Sequence, residues 1–140
     1  MRSNGFLADD DTEGTVAHIL KHKPHRLITA SNTATVRDAI TIMKEHGISQ
    51  LPVLDANGRH CGIVAEIDLL NYLVQHEGAL GEPLIGLIES DYATVTPHTR
   101  IQLVRSIFND AKVVLVVEAD RLLGVLTKID LIDYLATSRG

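Results

Sequence analysis

Tryptophan is absent from this 140-residue chain, and two phenylalanines and three tyrosines are its only other aromatics. Its core must therefore be aliphatic, and modules that hold single-stranded nucleic acid by stacking bases on exposed rings are excluded. Basic residues are also few: 13 Lys and Arg stand against 18 Asp and Glu, a formal net charge of −5. No cluster of cations offers the footprint that neutralises phosphates, so a nucleic-acid partner is not expected. No apolar run approaches the ~18 residues needed to span a bilayer, so neither is a membrane partner. The opening MRSNGFLADDD has one Arg, scattered apolar residues and three acids, which is not a signal peptide. The single cysteine, Cys61, cannot close an internal disulfide, as suits a reducing compartment. These absences together point to the cytoplasm.

Catalytic signatures are missing as well. The chain has no GxSxG, Walker A, GxGxxG or HExxH string. Cys61 lies in an apparent strand with nothing nearby to activate it, and reads as a half-buried structural cysteine. His18, His22 and His25 are spaced like ligands on one helical face, but Pro24 interrupts that helix and no Cys or carboxylate completes a metal set. They read as a solvated polar face. No catalytic residue and no metal site is expected, and the chain should not be an enzyme by itself.

What is present is a repeat. Residues 62–73 read GIVAEIDLLNYL and residues 124–135 read GVLTKIDLIDYL, with Gly, Ile, Asp, Leu and Tyr in phase. Upstream, Thr35–His46 and Thr99–Asp110 both place apolar residues at helical spacing: Val36, Ala39, Ile40 and Met43, then Ile101, Val104 and Phe108. Gly47 stands where a left-handed helix C-cap is common. Each helix is followed by an apolar run, Leu51–Leu54 and Val113–Val117, and then a turn. Asn57-Gly58 is a strong type I′ hairpin signal and Ala119-Asp120 a weaker one. The unbroken β-branched run at 113–117 predicts a strand buried on both faces. Leu27–Thr29 and Ala93–Val95 are the expected opening strands. Closing helices at about Glu66–Gln75 and Lys128–Ala136 should bury Ile67, Leu70, Leu73 and Val74, and Ile129, Ile132 and Leu135. Short amphipathic segments, Thr15–Leu20 and Pro83–Ile88, precede the two repeats.

The fold class is thus α/β, with two pseudo-symmetric motifs packed as a tandem pair. The expected division is a mobile polar segment at 1–14, a first motif at 15–77, a hinge at 78–82 and a second motif at 83–140. Neither motif has enough core to be very stable alone.

One short pattern carries chemistry: Gly–h–h–Thr–x–x–Asp at residues 124–130, where h is apolar. It falls at a strand-to-helix transition, with Thr127 at the N-cap and Asp130 in the first turn. A helix start offers unsatisfied N–H groups and a partial positive charge. An ionised Asp can accept from two hydroxyls, as a ribose diol requires. Simple capping explains the same two residues without any ligand. Both readings stay open on spacing alone.

The strings TVRDAITIMKEHGISQLPVLD (35–55), GIVAEID (62–68), ATVTP (93–97) and GVLTKIDLIDYLA (124–136) together resemble a tandem pair of CBS domains, a motif named for cystathionine beta-synthase. GISQLPV, SDYATVTP and GVLTKIDLIDYLA are further similar to the regulatory region that follows the catalytic domain in pyridoxal-phosphate-dependent cystathionine beta-synthases. MRSNGFL resembles the stretch where the catalytic domain of bacterial versions ends. No pyridoxal-phosphate lysine site is present.

The resemblance implies a regulatory module that forms a homodimer and controls an attached or partner enzyme. It also implies an effector, an adenosyl compound such as S-adenosylmethionine, AMP or ATP, bound in the cleft between the two motifs; no resident cofactor is implied. Carried over residue by residue, it places Thr127 and Asp130 on the ribose with Val125 and Ile129 beside them. Ile48, Leu51 and Thr15 form the facing wall. The symmetry-related cleft keeps Asp68 but has Ala65 where the family usually has Thr or Ser, and Glu66 adds negative charge; it is expected to be weak or empty. Only Lys128 is at hand to meet a phosphate, which favours S-adenosylmethionine, then AMP. The competing reading is a structural dimerisation module whose clefts are vestigial.

Overall fold

The two valine- and leucine-rich runs become the middle strands of two separate sheets. In the computed structural model, which describes residues 14–22, 27–90 and 92–139, each sheet has three strands. The first comprises β1 (Ala30–Ser31), β2 (Gln50–Leu54) and β3 (His60–Ala65); β1 runs parallel to β2, and β3 antiparallel to it. The second repeats this order with β4 (Ala93–Val95), β5 (Val113–Glu118) and β6 (Arg121–Thr127). The described helices are α1 (Val16–His22), α2 (Val36–His46), α3 (Glu66–Gln75), α4 (Ile101–Ile107) and α5 (Lys128–Arg139). Short 3-10 turns span Ala79–Gly81 and Leu84–Leu87.

The chain forms two compact units. A middle unit holds Ile28–Tyr92, and a terminal unit holds the residues up to Leu27 together with those from Ala93 onward. Val36, Ala39 and Met43 of α2 pack with Leu51, Val53, Val64 and Leu69 in the middle core. In the terminal core, Ile101, Val104 and Phe108 pack with Val114, Val116, Leu126, Leu131 and Tyr134. Val113 to Val116 are all buried, as expected for a strand covered on both faces.

These units exchange their lead-in segments. α1 precedes the first repeat in sequence, yet Val16 and Ile19 lie in the terminal core. Thr15 pairs with Arg100, Val16 N–H donates to the Thr99 carbonyl at 2.9 Å, and Ile101 N–H donates to that of Gly14 at 2.8 Å. Leu84, which precedes the second repeat, is fully buried in the middle core. Leu84 N–H donates to the Ala34 carbonyl at 2.8 Å, and Val36 N–H to that of Glu82 at 2.9 Å. Burying such a leucine is worth about 2–3 kcal/mol, so each segment is a structural part of the unit it joins. The stretch 78–82, expected as a hinge, carries the turn Ala79–Gly81; the units part after Leu27 and after Tyr92. Of the polar segment 1–14, only Gly14 falls within the described residues.

Local chemistry explains α2. Thr35 Oγ1 accepts from Asp38 N–H at 3.2 Å, while Asp38 Oδ2 accepts from Thr35 N–H at 3.0 Å, a full capping box. These bonds hold the Asp38 carboxyl below its ordinary pKa of 3.8, the backbone bond from Thr35 contributing most. Gly47 ends the helix at φ +63° with its N–H on the Met43 carbonyl, as its position predicted.

Four local expectations are corrected. The opening strand of the first sheet is Ala30–Ser31, not Leu27–Thr29: register with Val53 and Leu54 places it, and pairing overrides the β-propensity of Ile28 and Thr29. The helix expected over Thr99–Asp110 is the shorter Ile101–Ile107, since Arg100 gives it no side-chain cap.

The turn signals are inverted. Ala119 and Asp120, at φ +52° and +66°, are the residues with the left-handed pair that a type I′ turn needs, because Glu118 and Arg121 sit directly opposite and leave a two-residue connection. At 55–59 only Gly58 is left-handed, at φ +83°. Asp55 Oδ1 accepts from Asn57 N–H at 2.8 Å and Arg59 N–H at 3.0 Å, which stabilises a longer loop than the Asn-Gly pair suggests.

The closing helices turn most of the expected face outward: Leu73 and Leu135 meet the cores as expected, but their companions there are Leu69 and Tyr72 of α3 and Leu131 and Tyr134 of α5, at spacings of three and four. Ile67, Leu70 and Val74 are 46%, 57% and 75% exposed, and Ile129 and Ile132 are 65% and 58% exposed. Both helices are apolar on two faces, so periodicity alone did not choose between them.

Candidate ligand site

β6 ends at Thr127, held by pairing with Val113 on β5, and α5 begins at Lys128. The strand therefore delivers Thr127 to the N-cap, and the first helical turn brings Asp130 back to it. Asp130 Oδ2 accepts from Thr127 N–H at 2.8 Å and from the Thr127 hydroxyl at 3.0 Å. This differs from the Thr35 cap, where the threonine oxygen accepts from the backbone. At Thr127 the hydroxyl proton is directed to the carboxylate, so the pair presents acceptors beside the positive end of α5. Both residues are half-buried.

The remaining expected residues are divided between the two units. Val125 is half-buried on β6 opposite Leu115, two residues from Thr127. Ile129 and Lys128 are exposed at the start of α5. Thr15 is a buried polar residue of the terminal unit, 3% exposed. Ile48, Leu51 and Asp68 belong to the middle unit. There Leu51 is fully buried in the core, whereas Ile48 is half-buried in the turn after α2.

The related position in the middle unit shows what the missing hydroxyl does. β3 ends at Ala65, which caps α3 with no side-chain hydrogen bond. Glu66 N–H instead donates to the Ser49 carbonyl at 2.9 Å. Asp68 Oδ2 is buried and has no hydrogen-bond partner among the described residues. A buried acceptor without a donor costs about 1–3 kcal/mol, so this half is incomplete as it stands.

The groups weighed for other chemistry are occupied elsewhere. Cys61 is half-buried, its thiol donates to the Val53 carbonyl at 3.4 Å, and burial first and then Asp55 raise its pKa from 9.0. That is the environment of an inert thiol. His18 Nδ1 lies 2.6 Å from the Tyr134 hydroxyl, and His22 Nδ1 2.9 Å from the His18 carbonyl. His25 falls outside the described residues, and among those described no group of three His, Cys, Asp or Glu is placed to hold a metal ion. No described helix is long and apolar enough to cross a membrane.

Two features escaped the sequence reading. One is the second apolar stripe on α3 and α5. The other is a groove in the middle unit involving Ile40, Lys44 and Glu66. Ile40, Met43, Lys44 and Gly47 share one helical face at spacings of three, four and seven, which is the signal that could have found it.

Comparison with known proteins was consistent across the chain. The family model for the CBS domain matches twice, at residues 16–75 and 85–137. A cystathionine beta-synthase from Dictyostelium discoideum is 26% identical over 130 residues, covering 89% of this chain and 26% of that protein. Among solved structures, a CBS-domain protein from Burkholderia ambifaria matches with a TM-score of 0.79 at 25% identity, covering 90% of this chain and 96% of its own. CBSX2 in complex with AMP matches with a TM-score of 0.72 at 20% identity, covering 90% and 98%. The chain spans about a quarter or less of the length of the curated relatives it matches, from 26% down to 12%.

Proposed function

This chain belongs to the CBS-domain family and carries a tandem pair, a regulatory module; from that premise we propose that it senses an adenosyl compound at Thr127 and Asp130. The observation that carries the reading is the doubly bonded Asp130 at the start of α5, with the threonine proton turned towards the carboxylate. A capping residue needs only the backbone arrangement seen at Thr35 and Asp38. The two Asp130 oxygens can accept from vicinal ribose hydroxyls, and the helix start favours the electron-rich side of the ligand. Val125 and Ile129, in the same unit, are its proposed surroundings, with Asp68 of the middle unit marking the weaker counterpart. CBSX2, which shares the fold, was solved with AMP, and this supports the adenosyl class.

Within that class S-adenosylmethionine is favoured, followed by AMP and ATP. Lys128 is the one cation adjacent to Thr127 in sequence, and the chain carries a net charge of −5. A triphosphate asks for several cations or a metal, whereas a sulfonium tolerates an acidic surface. The proposed output is control of a cystathionine beta-synthase-type enzyme in the cytoplasm, with this chain acting as a non-catalytic regulator. Its regulatory effect requires the ligand to prefer one arrangement of the module over another.

The exposed apolar stripes support homodimerisation. Ile67 and Leu70 on α3 occupy the same repeat positions as Ile129 and Ile132 on α5, and all four are more than two-fifths exposed. A helix apolar on two faces is stable in water when both are covered. A second reading, a dimerisation module with vestigial ligand sites, is favoured by Ala65 and the orphaned Asp68.

Thermal unfolding with S-adenosylmethionine, AMP, ADP and ATP, each at ~1 mM, tests the two. A ligand at ~100 times its Kd adds ~2.7 kcal/mol, several degrees in a chain of this size. A shift with one compound that is lost in Asp130→Ala, while that variant stays folded, supports sensing. A flat response across the panel supports the dimerisation module.

A further inference from the structure

We propose that Asn57-Gly58, in the loop between β2 and β3, is a site of spontaneous deamidation and isoaspartate formation whose rate Asp55 controls. Residues 56–59 are all exposed, so water reaches the pair. The Asn57 side-chain amide has no hydrogen-bond partner among the described residues, which leaves it free to turn onto the peptide that follows. Gly58 presents no side chain to obstruct that approach, and a Cβ built there would meet nothing within 4 Å.

The step is a displacement within the chain, and it needs only water. The Gly58 nitrogen attacks Asn57 Cγ: the N–Cγ bond forms, the Cγ–Nδ2 bond breaks, and the Gly58 amide proton leaves with Nδ2 as ammonia. Water then opens the cyclic imide. At one carbonyl it restores the ordinary backbone, with aspartate at position 57. At the other it leaves isoaspartate, whose main chain runs through the side-chain carbons and is one carbon longer.

The loop opposes this step through Asp55. Gly58 N–H donates to the Asp55 carbonyl at 3.0 Å, so its nitrogen must leave that bond before it attacks. Asp55 Oδ1 fixes the same geometry, accepting from Asn57 N–H at 2.8 Å and Arg59 N–H at 3.0 Å. Once a carboxylate replaces the amide it stands two residues from that of Asp55, and like charge loosens the turn that slowed its formation. The added carbon falls between Leu54 and His60, which pair across the hairpin, and His60 Nδ1 lies 2.5 Å from the Tyr92 hydroxyl. The modification is therefore felt at the start of β3 as well as in the loop. All of these residues lie within Ile28–Tyr92, so the site is independent of the Thr127 and Asp130 reading.

Peptide mapping of the full chain, aged at physiological temperature in water enriched in heavy oxygen, tests it. Position 57 should take up label as aspartate and isoaspartate, while Asn32, Asn71 and Asn109, each followed by a larger residue, stay amidated. Mapping separates position 57 from the chain's other Asn-Gly pair, Asn4-Gly5, which lies outside the described residues. Asp55→Ala should speed conversion about ten-fold or more, the factor equivalent to releasing one charge-assisted hydrogen bond, and Asn57→Gln should stop it. The acceleration should be confined to position 57, whereas a general loss of structure would also expose the other asparagines. In the aged protein the amide signals of Leu54 and His60 and the ring of Tyr92 should shift; Asn57→Asp, which adds the charge without the extra carbon, should reproduce only the change within the loop. Asn57 that stays amidated while the free peptide of residues 54–60 converts completely overturns the proposal. So does an Asp55→Ala rate equal to wild type, or one raised equally at Asn32, Asn71 and Asn109.

Discussion

Replacing Thr127 with alanine would remove from the terminal unit the hydroxyl that the middle unit lacks at Ala65. The Thr127 hydroxyl is one of two donors to Asp130 Oδ2, at 3.0 Å, the other being its own N–H at 2.8 Å. A hydrogen bond to a charged acceptor is worth about 1.5–3 kcal/mol net. Asp130 is half-buried and keeps the backbone donor in the variant, so the low end applies, about 1.5 kcal/mol. A 140-residue chain has an unfolding entropy near 0.3 kcal/mol per degree, from about 2.1 cal/mol/K per residue. The melting temperature should therefore fall by about 5 °C without ligand.

The ligand increment separates structure from function. With S-adenosylmethionine or AMP at ~1 mM, wild type should gain several degrees and Thr127→Ala little or nothing. Thr127→Ser keeps the hydroxyl and should retain both the basal stability and most of the increment. Circular dichroism melts and isothermal titration of the three proteins give the comparison. A Thr127→Ala protein melting within about 1 °C of wild type would refute the reasoning, since the hydroxyl–carboxylate bond would then contribute nothing measurable. A variant that melts lower but retains the full increment would reduce Thr127 to a cap.

Four further outcomes are expected. Ala65→Thr offers a donor to the orphaned Asp68 Oδ2 and should stabilise the middle unit by about 1 kcal/mol, with calorimetry showing a second binding event per chain. Gly62→Ala places a Cβ 1.9 Å from Ile88 Cγ2 and 2.7 Å from the Glu89 carbonyl oxygen, so it should break the Ile63–Glu89 bridge and cost about 2–4 kcal/mol in urea denaturation. Leu70→Glu with Ile132→Glu alters exposed positions and should shift the chain from dimer to monomer in light scattering while changing the stability of each unit by less than about 0.5 kcal/mol per site. Asp38→Asn removes a carboxylate whose pKa is lowered by Thr35, so wild type should exceed the variant in stability above about pH 4 and lose that advantage as pH falls through the lowered pKa.

The features legible in the sequence share a property: each is set by residues close together along the chain. The α2 cap needs Thr35 and Asp38, its end needs Gly47, and the Thr127–Asp130 contact needs one turn of helix. The repeat also fixed the order of strands and helices, because two copies of one pattern constrain each other. Where the reading failed, a distant partner made the choice. Ala30 and Ser31 form a strand because Val53 and Leu54 accept them, and Ala119-Asp120 turns left-handed because Glu118 and Arg121 face each other. The helices α3 and α5 carry two apolar stripes of similar quality, and only the sheet beneath them selects Leu69 over Leu70 and Leu131 over Ile132.

The exchange of lead-in segments has the same origin and a consequence for stability. Thr15 and Leu84 lie on stretches of unremarkable composition, and their destinations depend on Arg100 and Ala34, 85 and 50 positions away. Because α1 is held by the terminal unit and the Pro83–Leu87 turn by the middle unit, each compact unit includes chain from both sides of a repeat boundary. Cutting the protein between its sequence repeats, near residues 78–82, would strip Leu84 from the middle core and α1 from the terminal one. Two isolated repeats should therefore each lose about 2–3 kcal/mol or more from a core that is already small.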